Sequence, residues 1–284
     1  MESQISSEKI AKLQNYFAGR PEVAMAFVFG SFAKGRQTAE SDVDIAVYFW
    51  PSARELEWEE NRFFPQEDEI WGAIEKIMGA RTDMIVLNRV SSTVAFSAVE
   101  EGMPVIIKSR PLYNRFILMI SQAAEEFRAH VKEFWEIKQR SRSLIDADKE
   151  RLIHIADFLE GELNDAKQFL DLDQRAYMSD MNKKRNVERW VENIVNASID
   201  IAKILAASEQ KRVPQTYREL LEETAALDGF DNSLAIKLSG FAKLRNILAH
   251  EYLDVRFKYI RQFIDEAQPL YRELLAFVKS FIAK

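Results

Sequence analysis

Hydrophobic and polar positions follow two different patterns along this chain. Up to about Arg110, short β-branched and aromatic runs alternate with amphipathic stretches. Val23 to Phe29 (VAMAFVF), Asp44 to Phe49, Asp83 to Leu87 and Val105 to Ile107 are too short for typical helices, so each predicts a strand. A helix is expected around Glu67 to Met78. Beyond Pro111 the strand runs cease. Tyr113 to Leu144 predicts one long helix or two, because Ile117, Ile120, Ala124, Phe127, Val131 and Phe134 recur at three- and four-residue spacing. It completes the first domain in this reading. Asp146 and Asp148 then offer polar N-caps to a helix containing Leu152, Ile155, Ala156, Leu159 and Leu163, which sets domains of 1–146 and 147–284. Breaks at Leu170 to Asp173, near Pro214 and at Asp228-Gly229 leave a bundle of four or five helices. The expected class is α+β, an α/β domain followed by an all-α bundle.

Composition narrows this picture modestly. The chain has 284 residues, 47% of them hydrophobic, enough for two packed cores. No apolar run approaches the ~20 residues that span a bilayer. The opening MESQISSEKI lacks the basic-then-apolar order of a signal peptide, so no membrane partner and a cytoplasmic location are expected. Cysteine is absent and there are three histidines, which excludes disulfides, thiolate catalysis and a cysteine zinc site. The net charge of -6 argues against a broad nucleic-acid footprint, and Lys183, Lys184 and Arg185 read as a solvated helix face. His130 and His154 read as structural. The acidic stretch Glu55 to Glu60, with Trp58, reads as a surface loop or helix in a position to act as a lid.

Candidate chemistry enters at GSFAKGRQTAESDVDIAV, Gly30 to Val47. The first strand delivers Gly30 and Ser31 at its end; glycine lets the backbone approach a phosphate closely, and Ser31 adds a hydroxyl donor. Asp42 and Asp44 alternate on the next strand, so both carboxylates lie on one face, some 6–7 Å apart at the backbone. Such an open pair suits magnesium, which takes a few carboxylates together with phosphate oxygens and water. Asp83, opening another strand, is the candidate third carboxylate, and Lys34 and Arg36 are candidate triphosphate contacts. A triphosphate turn beside paired carboxylates is what metal-dependent nucleotidyl transfer requires.

A second constellation lies in KLRNILAHEYLDV: Arg245, Asn246, His250 and Tyr252. On one continuous helix Arg245 and Tyr252 share a face, whereas His250 stands ~140° from Arg245. Arginine and histidine therefore meet only if the helix ends or a second copy contributes, as in a symmetric homodimer. Arginine to hold a phosphate and histidine to shuttle protons are the minimum for metal-independent RNA cleavage by the neighbouring 2′-hydroxyl.

Gly30, Ser31, Asp42 and Asp44 resemble the signature of the polymerase-beta-type nucleotidyltransferase superfamily, in its minimal nucleotidyltransferase branch. The resemblance implies that Gly30 and Ser31 bind the triphosphate, with Lys34 and Arg36 nearby, and that Asp42, Asp44 and Asp83 bind Mg2+. RNILAHEY resembles the R-x-x-x-x-H-x-Y signature of HEPN domains, and VERWVENIVNASIDIAKIL with VPQTYRELL resembles their upstream helices. Together the halves resemble HEPN/minimal-nucleotidyltransferase toxin-antitoxin pairs joined in one chain. That implies ribonuclease roles for Arg245 and His250, with Asn246 beside them. It also implies transfer of AMP from ATP to Tyr252, in cis or in trans, which would set charge beside Arg245 and silence RNA cleavage. The alternative is small-molecule nucleotidyl transfer of the aminoglycoside type, which also joins this catalytic domain to a helical bundle.

Overall fold

A computed structural model describes residues 7–33, 42–52, 56–140, 142–250 and 257–283, with the side chain of His250 outside the description. The first compact unit runs to Glu125 and the second from Glu126. In the first, α1 (Ser7–Ala18) leads to β1 (Val23–Phe29), a single turn α2 (Gly30–Ala33) and β2 (Val43–Phe49). Then follow α3 (Glu67–Met78), β3 (Thr82–Val86), α4 (Ser92–Glu100), β4 (Met103–Ile107) and α5 (Arg110–Arg140). The strands form one sheet in the order β3-β2-β1-β4, antiparallel at β1/β2 and β1/β4 and parallel at β2/β3.

Both faces of that sheet are covered, which is why its central strands read as continuous apolar runs rather than as alternation. Leu13 and Phe17 of α1 with Ile70, Ile74 and Met78 of α3 pack one face. Ala95, Ala98 and Val99 of α4 with Phe116 and Ile120 of α5 pack the other. The expected lid is instead part of this core: Leu56, Glu57 and Trp58 are all buried. Glu57 tolerates burial because its carboxylate accepts from Ser52 N at 2.8 Å, from Arg62 Nη1 at 2.9 Å and from Asn88 Nδ2 at 3.1 Å. Asn88, fully buried, also ties both backbone groups of Phe49, accepting from its N–H at 2.9 Å and donating to its carbonyl at 3.1 Å.

The second unit begins within α5 and continues through α6 (Asp146–Asp165), α7 (Gln174–Ser179), α8 (Met181–Ser208), α9 (Tyr217–Glu223), α10 (Asn232–Ser239), α11 (Ala242–His250) and α12 (Phe257–Ile282). The expected breaks are present, but further ones at Asp180 and at Gly240-Phe241 leave seven α-helices after α5 among the described residues rather than four or five. The unit boundary also differs: it lies inside α5 rather than at 146/147, because Phe127, Phe134 and Ile137 of α5 pack into the helical core. The expected caps also differ. Asp146 is the first residue of α6, and Asp148 is buried against Arg140 at 3.2 Å. Helix α8 is the axis of this core, and every residue from Ile201 to Ser208 is buried.

Asn88→Ala is expected to destabilise the first unit by about 2–3 kcal/mol, since it strands the Phe49 amide and carbonyl and one bond of Glu57. Urea unfolding followed by a first-unit tryptophan would register it as a lowered midpoint at unchanged slope.

Candidate active site

The Gly30-to-Asp44 region is built by strand register. Phe29, the last residue of β1, is the partner of Asp44 across the antiparallel ladder, and Asp44 is the partner of Asp83 across the parallel one. Asp44 is therefore flanked by the Gly30-Ser31 turn on one side and by Asp83 on the other. Gly30 has φ +70°, and a β-carbon there would stand 1.9 Å from Asp44 Oδ2. Glycine is required twice over, by the left-handed backbone and by the carboxylate resting against it. The Ser31 backbone N–H donates to that carboxylate. Trp71 Nε1 donates to the Thr82 carbonyl at 2.8 Å, fixing the start of β3 beside Asp83.

The carboxylates sense one another. Burial, then the charges of Asp83 and Asp42, raise the Asp44 carboxyl above the usual carboxylate range, against the opposing pull of the Ser31 N–H. Asp42 faces Arg81 Nε at 3.6 Å, a pairing the sequence reading missed and one that exposure makes weak. Among the described residues no three acidic or histidine side chains converge as a ready-made metal cage. Nevertheless the donor set is all oxygen, and its mutual repulsion is of the kind a divalent cation relieves, so these residues fit magnesium. Lys34 and Arg36 lie outside the described residues.

In the helical unit α11 carries both Arg245 and the backbone of His250 on one unbroken helix, so the two positions stand about 140° apart. Arg245 is 16% exposed. Its Nη2 donates to Glu126, and its guanidinium carbon stands 5.5 Å from the Tyr217 ring centroid. Among the described residues its Nη1, which is buried, has no hydrogen-bond partner. Beside it His130 is 9% exposed, stacked on Phe127 and edge-on to Tyr217 at 5.2 Å, and its Nε2 also has no partner among the described residues. Burial first, with the nearby charges of Lys203, Arg245 and Arg151, pushes its pKa down to about 3 against the opposing pull of Glu133, so this imidazole is neutral near pH 7. Asn246 is buried, and Tyr252 lies outside the described residues. Glu126, Tyr217 and His130 were missed as neighbours of Arg245. Their separation in sequence leaves no local signal.

Comparison with known proteins follows the two units. The family model for polymerase beta nucleotidyltransferases matches residues 11–111, and that for ribonuclease HepT-like proteins matches 159–280. A Methanocaldococcus jannaschii protein named "Putative protein adenylyltransferase" is 30% identical over 98 residues, covering 34% of this chain and 89% of that protein. The crystal structure of a toxin-antitoxin with AMP-PNP aligns at 20% identity and TM-score 0.37, covering 46% of this chain and 97% of its own. That of a mutant MntA-HpeT toxin-antitoxin aligns at 18% identity and TM-score 0.36, covering 46% and 96%. Among the described residues no helix is long and apolar enough to cross a membrane.

Two outcomes test this geometry. A carboxyl with a raised titration penalises the folded state only once ionised, so the penalty is absent in acid and grows as pH rises through the carboxylate range. Asp44→Asn, in metal-free buffer, is therefore expected to melt above the wild type at about pH 7, the gap closing near about pH 3; equal melting at neutral pH would contradict the repulsion. Glu126→Ala is expected to cost the helical unit about 2 kcal/mol by leaving the guanidinium partly buried and unpaired, whereas the exposed Glu125→Ala stays within about 0.5 kcal/mol. Urea midpoints of the two variants compare them directly.

Proposed function

Since the chain belongs to the polymerase beta nucleotidyltransferase family through its first unit and carries a HepT-like HEPN domain in its second, we propose that it transfers AMP from ATP to Tyr252 and thereby silences a ribonuclease built on Arg245 and His250. The observation that carries the first step is the register that sets Asp44 between Phe29 and Asp83, with Gly30 against its carboxylate. Asp42, Asp44 and Asp83 would hold magnesium, which when bound supplies positive charge to offset that of the triphosphate and the departing pyrophosphate. Gly30 lets the chain turn with the Asp44 carboxylate against its backbone, and the Ser31 hydroxyl that follows donates to the phosphates. The Tyr252 phenol oxygen bonds to the α-phosphorus while the bond to the β-phosphate oxygen breaks, so pyrophosphate leaves in line. Asp83, exposed on the edge strand, takes the phenolic proton.

For the second unit, Arg245 binds the RNA phosphate and must exchange its bond to Glu126 to do so. The RNA 2′-oxygen bonds to the adjacent phosphorus, the bond to the 5′-oxygen breaks, and one proton leaves the 2′-hydroxyl as another reaches the 5′-oxygen. His250 carries these protons. Because the two positions stand apart on one unbroken helix, the site takes its arginine and histidine from two copies in a homodimer. AMP on Tyr252 sets negative charge near Arg245 in sequence and opposes RNA binding.

Intact-mass analysis after incubation with ATP and magnesium is expected to give one AMP-sized adduct, absent from Tyr252→Phe, from Asp42→Asn and after chelation. Asp42→Asn protein is expected to cleave RNA, and His250→Ala in that background to abolish cleavage. Turnover of an added aminoglycoside with no protein adduct would replace this reading by small-molecule transfer.

A further inference from the structure

The helix that carries Arg245 also forms one wall of a cavity of about 490 Å³ between α10, α11 and α12. That volume falls in the roughly 300–1,000 Å³ range of small-ligand sites. The α11 wall is apolar at its base, where Leu244 and Ile247 are buried, and Phe241 adjoins them. The facing wall is a single stripe of α12, with Tyr259, Gln262 and Glu266 at three- and four-residue spacing. The Tyr259 ring has Lys243 Nζ 5.1 Å and Lys258 Nζ 4.5 Å from its centroid, and Lys237 also lines the cavity. Gln262 Nε2 donates to Glu266 Oε2 at 3.2 Å, an amide and a carboxylate presented together.

These groups divide into three kinds. An aromatic face with flanking apolar walls accepts the π-surface of a base. Ammonium groups that already gather over that ring are at hand for a phosphate. An amide beside a carboxylate offers donors and acceptors to a base edge. In a chain of net charge -6, two lysines, Lys237 and Lys243, set against one glutamate among the described lining residues favour an anionic ligand. We infer that this cavity is a nucleotide subsite which takes one unpaired residue of single-stranded RNA, with its base along Tyr259 and its phosphate at Lys237 and Lys243.

The choice of RNA over a free nucleotide rests on the ribonuclease reading above. Positions 243, 247 and 250 recur at four- and three-residue spacing along α11, so the wall of the cavity continues along the helix toward the position of His250. A nucleotide held here flanks the scissile phosphate and supplies sequence preference. Arg245 lies on another face of the same helix and makes no part of this wall.

The test measures binding to full-length, cleavage-dead His250→Ala protein by fluorescence anisotropy, with labelled oligoadenylate and oligouridylate RNA as probes and unlabelled ATP and AMP as competitors. Tyr259→Ala is expected to weaken RNA binding about 5- to 100-fold, the scale of losing one base stack. Tyr259→Phe is expected to hold within about 2-fold, because the ring alone carries the stack. Lys243→Gln is expected to lower the salt-dependence slope by about 0.7, one phosphate contact on a single strand. Unchanged RNA affinity in Tyr259→Ala, or no RNA binding in the parent protein, overturns the inference. Displacement of RNA by ATP or AMP at equal affinity reassigns the cavity to free nucleotides and overturns it also. Loss of a dimer by sedimentation in Tyr259→Ala, with RNA binding intact, makes the cavity a protein interface instead. Should Tyr259→Ala not fold, Tyr259→Leu keeps the apolar volume without the ring and carries the same expectation. Because binding is read without cleavage, RNA affinity that depends on Tyr259 in a protein that cuts no RNA sustains the subsite while removing the ribonuclease reading.

Discussion

Asp44 is held where two ladders of one sheet and the turn after β1 converge, and the candidate transfer site depends on that meeting. The antiparallel partner of Asp44 is Phe29, so the next residue, Gly30, must turn the chain directly beside the carboxylate. Only a residue without a β-carbon can do so, at φ +70° and with Oδ2 occupying the space a side chain would need. The parallel partner is Asp83, which brings a second negative charge to the same level of the sheet. Desolvation and repulsion follow from this placement. Burial together with the charges of Asp83 and Asp42 raises the Asp44 carboxyl, and perturbed carboxylates of this kind cluster at functional sites. The Glu57-Asn88-Phe49 network sits at the other end of β2, where buried polar groups are paired and rigidity is supplied.

The helical unit treats its own charged group differently. Arg245 is neither free nor fully paired: one nitrogen meets Glu126, the ring of Tyr217 lies nearby, and among the described residues the other terminal nitrogen is buried without a hydrogen-bond partner, as is Nε2 of His130. A guanidinium with residual donor capacity is adapted to exchange partners. Glu126 and His130 come from the part of α5 that neither family model covers, between 111 and 159. The segment joining the two family domains thus contributes the surroundings of the arginine.

How much of this was legible in the sequence depended on whether the information was local. The strands at Val23 to Phe29 and from Asp44 onward, and the helix at Glu67 to Met78, were legible because burial on both sheet faces writes unbroken apolar runs and an amphipathic stripe writes its own period. The requirement for glycine at position 30 was legible as chemistry, though not the contact with Asp44 that enforces it. The division of α5 was not legible, since periodicity reports that a stripe is buried without naming the body it is buried against. Glu57 read as part of an acidic surface because charge patterns carry no record of partners such as Asn88, thirty-one positions away. Arg245 was found by its motif, but its pairing with Glu126, 119 positions distant, left no mark on the sequence.

We propose that one chain carries both the transferring site and the acceptor of the transferred group. Incubating the protein with ATP radiolabelled at the α-phosphate, and separately at the γ-phosphate, tests this most directly, because only nucleotidyl transfer retains the first label and releases the second. The expected result is α-label bound to the chain and mapped by peptide sequencing to Tyr252, with γ-label recovered entirely as pyrophosphate. Label retained from the γ-phosphate, or α-label bound at a residue other than Tyr252, would contradict it.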